Sequence, residues 1–357
     1  MYIVDKLVFA YIIKIMIENY TINSTILNQI YHFSRLYERL YLVDPESGWF
    51  KEAIEISTHM SSFSAVTFDK KLLENKSLLR SEEAVREIFD QDLYKQYNSY
   101  KGVLKELEHK KSEEYSIEKI MAIHKEVMGV KSSGLRKNER TISKVVVQND
   151  VYKTIELKVK SKPSIIRKDL KYFIEWLNSN SFQLNPIVAG GIAHIRLAQI
   201  HPFDDGNGRT ARIFENLLLL NSGIEYYKLI PIEMYYLKNI EEYYDLIENS
   251  IAERDLTKWL EFYTEGLLSS INSSFDLIRK LSGNTIDLVN RKVVDLTERE
   301  IEVIDILNKS IQASGAEIAN ILKVTRQNIN VILKRLEQKK VVEKIGQGTS
   351  SRYTLRK

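Results

Sequence analysis

The chain has 357 residues, 44% hydrophobic and 28% charged, with a formal net charge of +4. That length predicts two or three domains, and the balance is that of a soluble globular protein, not of a disordered or fibrous one. The absence of cysteine excludes disulfides and thiolate metal sites and fits a reducing cytoplasm, while only 5 prolines and 14 glycines predict long helices.

The first stretch, MYIVDKLVFAYIIKIMIENY, contains an apolar run from Leu7 to Ile13 that is too short to span a membrane and is flanked by Asp5, Lys6 and Lys14. No small-residue cleavage site follows it. It reads as a helix buried in the core or facing another subunit, and no membrane partner is expected. Helical periodicity then covers Ile26 to Leu42, Phe50 to Met60, and Ser81 to Leu107, the last capped by Ser81 with Glu82 and Glu83 in its first turn. Between the last two, SSFSAVTFDKKLLENKSLLR reads as a loop with a short helix. Residues 1–110 form an N-terminal helical region without evident chemistry.

Ser116 to Met128 predicts an amphipathic helix capped by Ser116, with His124 as a core histidine beside Ile120 and Val127. Thr141 to Lys160 alternates β-branched and polar residues around Gln148, Asn149 and Asp150, which predicts a β-hairpin. Ser164 to Leu177 is helical again. Pro186 to Ile200 is a broadly apolar helix whose Gly190 and Gly191 allow close packing, and its His194 reads as structural.

HPFDDGNGRTAR follows, from His201 to Arg212, and leads into a densely apolar helix over Arg209 to Leu220. The first turn of a helix has free N–H groups and a positive dipole end, which favour an anion. Gly206 and Gly208 let a phosphate approach the backbone, Asn207 adds an amide, and Arg209 and Arg212 share a helix face as multidentate donors. Asp205 is a hard oxygen ligand of the kind Mg2+ takes when it is shared with phosphates. His201 suits a general base near neutral pH. Together these residues describe phosphoryl or nucleotidyl transfer.

The stretch resembles the signature of Fic domains, His-x-Phe-x-Asp/Glu-Gly-Asn-Gly-Arg-x-x-Arg, at every fixed position. The resemblance implies a mainly α fold, a helical bundle with a small β-hairpin flap, in residues 111–285. It also implies transfer of AMP from ATP to a Ser, Thr or Tyr hydroxyl of a target protein. By that resemblance His201 deprotonates the acceptor, Asp205 holds Mg2+, Gly206, Asn207 and Gly208 cradle the phosphates, and Arg209 and Arg212 neutralise the β- and γ-phosphates. Phe203 anchors the loop, and the hairpin holds a target segment as an added strand. In Met234 to Ser250, Asn239 and Tyr243 match the family's adenine-side spacing, although a tyrosine stripe is also ordinary packing.

Family members often carry an inhibitory helix, Ser/Thr-x-x-x-Glu-Gly/Asn, whose glutamate pairs with the second motif arginine. Here the favoured register puts Met60 at the glutamate, and the SSFSAV register puts Ala65 there. Arg212 is therefore expected to lack a glutamate partner, unless Glu55 or another chain supplies one. Other expectations are a different Fic chemistry, such as phosphotransfer or phosphocholine transfer, and a DNA-bound regulator whose nucleotide-sensing Fic site is not catalytic.

Leu256 to Leu281 completes the helical body, and SGNT, Ser282 to Thr285, reads as a linker. Residues 290–357 resemble a winged helix-turn-helix, with helices over Leu296 to Leu307, Gly315 to Leu322 and Val324 to Gln338 and a wing over Val341 to Leu355. From Asp295 onward the chain holds 12 Lys/Arg against 8 Asp/Glu, so the whole +4 resides there. Thr325, Arg326, Gln327 and Asn328, at the start of the second helix of the pair, are the expected contacts to duplex DNA. Protein contact or homodimerisation is the alternative use.

Overall fold

The computed structural model describes residues 19–68, 82–111, 114–139, 141–148, 151–158, 161–180, 183–282, 285–288, 292–295, 297–310, 312–339, 341–346 and 351–355. The predicted N-terminal helix up to residue 18, residues 149–150 of the expected hairpin and residues 347–350 of the expected wing lie outside them. Residues 1–31 with 54–271 form one compact unit, and residues 32–53 with 272–357 form a second.

The order of helices is α1 (Ser24–Leu40), α2 (Gly48–Thr67), α3 (Glu82–Ile88), α4 (Gln91–Lys105) and α5 (Ile117–Met128). The strands β1 (Thr141–Gln148) and β2 (Val151–Lys158) pair antiparallel, from Thr141 opposite Lys158 to Gln148 opposite Val151. Then come α6 (Ile166–Asn180), α7 (Pro186–Ile200), α8 (Asn207–Asn221), α9 (Ile232–Lys238), α10 (Ile240–Glu253) and α11 (Thr257–Leu281).

Four segments depart from the periodicity reading. Helix α2 runs on through SSFSAVT, where Thr58, Ser62 and Thr67 turn their hydroxyls back to the carbonyls of Ile54, Thr58 and Phe63 and so bury those three groups within the helix. The expected helix Ser81 to Leu107 is two helices, because the Asp90 carboxylate accepts from Leu93 N–H at 2.7 Å and caps α4. The aromatic helix from Met234 likewise breaks at Asn239, between α9 and α10. The expected linker runs directly into a strand at Thr285.

In the first unit α7 and α8 form the core, with Ile192, Ala193 and Ile195 of one and Phe214, Leu217 and Leu218 of the other all at most 2% exposed. Gly191 lets α11 close on α7: a Cβ there would lie 2.7 Å from the Tyr263 ring, and Trp259 Nε1–H donates to Gly191 O at 2.8 Å. This packing fixes the ends of α7 and α8, between which the HPFDDGNGRTAR turn is suspended.

The second unit contains the strand pair β3 (Thr285–Leu288) and β4 (Lys292–Asp295), then α12 (Glu298–Lys309), β5 (Ala313–Ser314), α13 (Gly315–Leu322), α14 (Arg326–Gln338), β6 (Val342–Ile345) and β7 (Arg352–Leu355). The last three-stranded sheet has the order β5-β7-β6. Its core is Val303, Leu307, Ile318, Ile329, Leu333, Leu336 and Val342. Thr297 with Glu300, and Ser314 with Glu317, form reciprocal capping boxes at the starts of α12 and α13. Among the described residues no helix is long and apolar enough to cross a membrane.

Candidate active site

Helix α7 ends at His201 because Pro202 follows: the residue before proline is driven out of the right-handed helical region. His201 takes the left-handed conformation instead, φ 48°, while its N–H still donates to Leu197 O. Five residues later Gly206, at φ 76°, starts α8, and the N–H and hydroxyl of Thr210 both donate to Gly206 O at 2.9 and 2.8 Å. The N–H groups of Asn207, Gly208 and Arg209 have no acceptor within the helix. A half-buried imidazole thus stands at the end of one helix, just before the N-terminus of the next.

The loop is tied down from inside. Asn207, 4% exposed, accepts from Phe203 N–H and donates to Phe203 O, both at 2.8 Å, so its side chain locks the loop and faces toward a phosphate only through its backbone N–H. The Phe203 ring is buried and stacked on His124, with centroids 3.8 Å apart. His124 Nε2 lies 3.0 Å from Asp205 O, which can only accept, so Nε2 carries the proton and Nδ1 accepts from the Ser133 hydroxyl at 2.7 Å. Burial first, and then the charge of Arg209, push the His124 pKa below its ordinary value, which keeps this neutral tautomer. A side chain at Gly206 would strike Met128 Sδ. The predicted core histidine is therefore also a loop support, a role that spacing alone does not reveal.

Charge is arranged around the mouth. Asp205 is exposed; its Oδ1 accepts from Gly206 N–H at 2.6 Å and its Oδ2 meets Arg209 Nη2 at 3.2 Å. Arg209 Nη1 donates to Gln96 Oε1 of α4 at 2.7 Å, a site partner that no sequence motif marks. Arg212 is 3% exposed. Its Nη2 donates to Ala65 O at 3.2 Å, the Phe68 ring lies 4.4 Å from its guanidinium carbon, and its Nε has no hydrogen-bond partner. No carboxylate among the described residues is bonded to it. Glu55 is not the missing partner: it pairs with Lys105 at 2.8 Å. Glu233, buried nearby, accepts from the hydroxyls of Ser61 at 2.8 Å and Tyr100 at 2.7 Å.

Behind Arg212 is a dry polar network. Glu215 Oε2 lies 2.6 Å from His194 Nδ1, and His194 Nε2 lies 2.9 Å from the Tyr243 hydroxyl. Burial pushes the Glu215 carboxyl up to about 8 and the His194 imidazole well down. Both directions favour the uncharged pair, in which Glu215 donates to Nδ1 and Nε2–H donates to Tyr243. Tyr243 is 2% exposed, within a cluster that includes Phe68, Tyr236 and Trp259. Asn239 is half-buried, and its amide donates to Tyr235 O at 2.9 Å.

Among the described residues no cluster of three or more His, Cys, Asp or Glu forms a metal site. Asp205, exposed beside Asp204, fits a Mg2+ brought by phosphates, which needs one or two carboxylates and not a protein cage. In the second unit Arg326, Gln327 and Asn328 are exposed on the first turn of α14, and Thr325 caps it by accepting from Asn328 N–H at 3.3 Å.

A mainly helical domain thus brings a histidine, a glycine turn and two arginines together around one helix N-terminus. Residues 114–219 match the model of the Fic/DOC family, so the chain carries a Fic/DOC domain. The protein adenylyltransferase fic-1 of Caenorhabditis elegans is 27% identical over 211 residues, 58% of this chain and 37% of that protein. The protein adenylyltransferase Fic of Aedes aegypti is 34% identical over 97 residues, 27% of this chain and 18% of that protein. The chain thus spans little more than a third of the length of fic-1 and less than a fifth of the Aedes protein. Among solved structures, a Fic family protein from Desulfovibrio desulfuricans G20 superposes with a TM-score of 0.56 at 18% identity, covering 94% of this chain and 97% of that one. Fic-1 from C. elegans superposes at 0.52 and 20% identity, over 71% and 73%. These likenesses establish the Fic fold.

Proposed function

We propose that this protein is a Fic-type adenylyltransferase that moves AMP from ATP to a hydroxyl side chain of a protein. One observation carries the reading: Arg212 is a buried guanidinium with a free Nε and no bonded carboxylate, in the first turns of the helix that follows His201. A buried guanidinium N–H left without an acceptor is costly, and an anion entering the site offsets that cost. In this reading the N–H groups of Asn207, Gly208 and Arg209 and the two guanidiniums bind the polyphosphate. His201 takes the proton of the acceptor hydroxyl, whose oxygen attacks the α-phosphorus as pyrophosphate leaves. A Mg2+ on Asp205 would supply charge neutralisation at the phosphates. Asn239, with Tyr243 in the core behind it, serves the adenine side, and β1–β2 serves as the flap that holds the target segment.

The second unit supports a winged helix, through the order α12, β5, α13, α14, β6, β7 and the exposed start of α14. With Thr325, Arg326, Gln327 and Asn328 there, duplex DNA is its proposed partner. The setting proposed is cytoplasmic.

The test uses ATP labelled separately at the α- and γ-phosphates, with wild type and His201→Ala. Label from the α position on protein, absent from the variant, is expected. Label from the γ position would replace the reading with phosphotransfer, and no transfer would favour a nucleotide sensor.

A further inference from the structure

The hairpin and the histidine loop are far apart in sequence, yet one side chain joins them. Arg136, only 2% exposed, donates through Nε to His201 O at 2.7 Å and through Nη1 to Asn138 O at 2.9 Å, and its Nη2 donates to Ser161 O. Its own N–H donates to Pro202 O at 2.9 Å. Asn138 stands just before β1 and Ser161 just after β2, so the guanidinium binds both roots of the hairpin and the backbone of the predicted base. Ser161 is fixed in turn, its hydroxyl donating to Asp169 Oδ2 of α6 at 2.5 Å.

The arrangement answers two local needs. The carbonyls at the end of α7 have no intrahelical donors and carry the negative end of its dipole, so a cation with several N–H groups is the fitting cap. His201, a non-glycine residue at positive φ, persists in that conformation only where its neighbours hold it there. A planar fork can serve three diverging carbonyls; a lysine ammonium, a single point on a flexible stem, cannot.

We infer that Arg136 is a positioning residue that sets the register between the β1–β2 hairpin and His201, so that a segment held on the hairpin presents its hydroxyl to the imidazole. The role of the tie in transfer rests on the adenylyltransferase reading; the tie itself does not. These three guanidinium bonds all go to main-chain oxygens, and none of them goes to the phosphate cradle at Gly206 to Arg212. Its loss therefore alters the acceptor's geometry and not the hold on ATP. A misplacement of about 1 Å at a reacting centre costs on the order of 100-fold.

The test is Arg136→Lys in the full chain, with two readouts. In AMP transfer kcat should fall at least tenfold while KM for ATP stays within twofold; an unchanged kcat, or a rise in KM alone, overturns the assignment. In native-state amide hydrogen exchange, segments 141–158 and 199–205 should speed up together about tenfold or more while α4 stays unchanged. Acceleration of one segment alone, of α4 equally, or of neither overturns it. If Arg136→Lys does not fold, wild type decides: the two segments must open as one cooperative unit with one denaturant dependence, and separate openings refute the tie. If wild type transfers no AMP, the functional reading fails, and hydrogen exchange still decides whether the tie exists.

Discussion

Arg212 Nη2 donates to the main-chain oxygen of Ala65 at 3.2 Å, near the C-terminal end of α2. The last carbonyls of a helix are free acceptors at its negative dipole end. The second motif arginine thus rests on a neutral main-chain oxygen of the SSFSAV segment and not on a carboxylate. Ala65→Glu should pair with Arg212 and lower kcat/KM for AMP transfer at least tenfold, about 1.4 kcal/mol. Ala65→Gln, of the same size and uncharged, should lose less. Equal losses in the two variants would mean that crowding at this buried position, and not charge, is responsible; calorimetric titration with ATP separates them directly.

The two reciprocal hydrogen bonds between the Asn207 amide and the Phe203 backbone lead to a second prediction. Asn207→Ala leaves a buried N–H and a buried carbonyl of Phe203 unmet, at about 1–3 kcal/mol for each group. Asn207→Asp is nearly the same shape, but it keeps only the acceptor and sets a carboxylate oxygen against Phe203 O. Despite its conservative appearance it should destabilise at least as much as alanine. Thermal unfolding of the three proteins checks the order, and a wild-type-like Asn207→Asp would refute the clamp.

The neutral reading of His194 and Glu215 is equally open to test. If both groups are uncharged, Glu215→Gln retains the essentials: the amide nitrogen in the place of Oε2 donates one N–H to His194 Nδ1 and turns its other N–H to the Tyr236 hydroxyl, which lies 3.3 Å from Oε2 and can accept as well as donate. The expected cost is below about 1 kcal/mol, whereas removing one partner of a buried ion pair costs about 3–5 kcal/mol. Glu215→Ala should cost about 2–4 kcal/mol, as a cavity with an unmet histidine nitrogen. Denaturant unfolding distinguishes the cases, and a loss as large for glutamine as for alanine would mean the pair is ionic.

The motif was legible because its chemistry is contiguous: His201, the glycines and the arginines occupy one turn and need no partner to be recognised. Its supports were not. Gln96, His124 and Arg136 reach the loop from α4, α5 and the segment before β1, and each is an ordinary residue in its own neighbourhood. Two misread boundaries have a shared physical origin. In α2, Thr58, Ser62 and Thr67 bond back to the preceding turn, so a serine-rich stretch that reads as loop stays helical. At Asp90 a carboxylate does the reverse and starts a new helix inside an apparently continuous pattern. Both outcomes depend on where a short polar side chain finds its partner, which periodicity does not record.

His124 gives the pH prediction. Its pKa is lowered in the folded protein, chiefly by burial, so between that value and the ordinary 6.5 the unfolded chain binds more protons than the folded one. Its contribution to stability is therefore complete above about pH 6.5 and is lost as pH falls toward the folded pKa. Both carboxylate and guanidinium neighbours take part, since the Asp205 charge opposes the lowering while that of Arg209 reinforces it. His124→Gln removes the titration and keeps an amide donor for Asp205 O. The stability gap between wild type and His124→Gln should be constant from pH 8 to about 7 and should then shrink steadily toward pH 5. Comparison of the two proteins also cancels the opposing titration of Glu215, whose raised pKa favours the folded state at low pH. Urea unfolding across that range measures the gap. A gap that stays constant or widens as pH falls would mean that His124 is not held neutral beneath the loop.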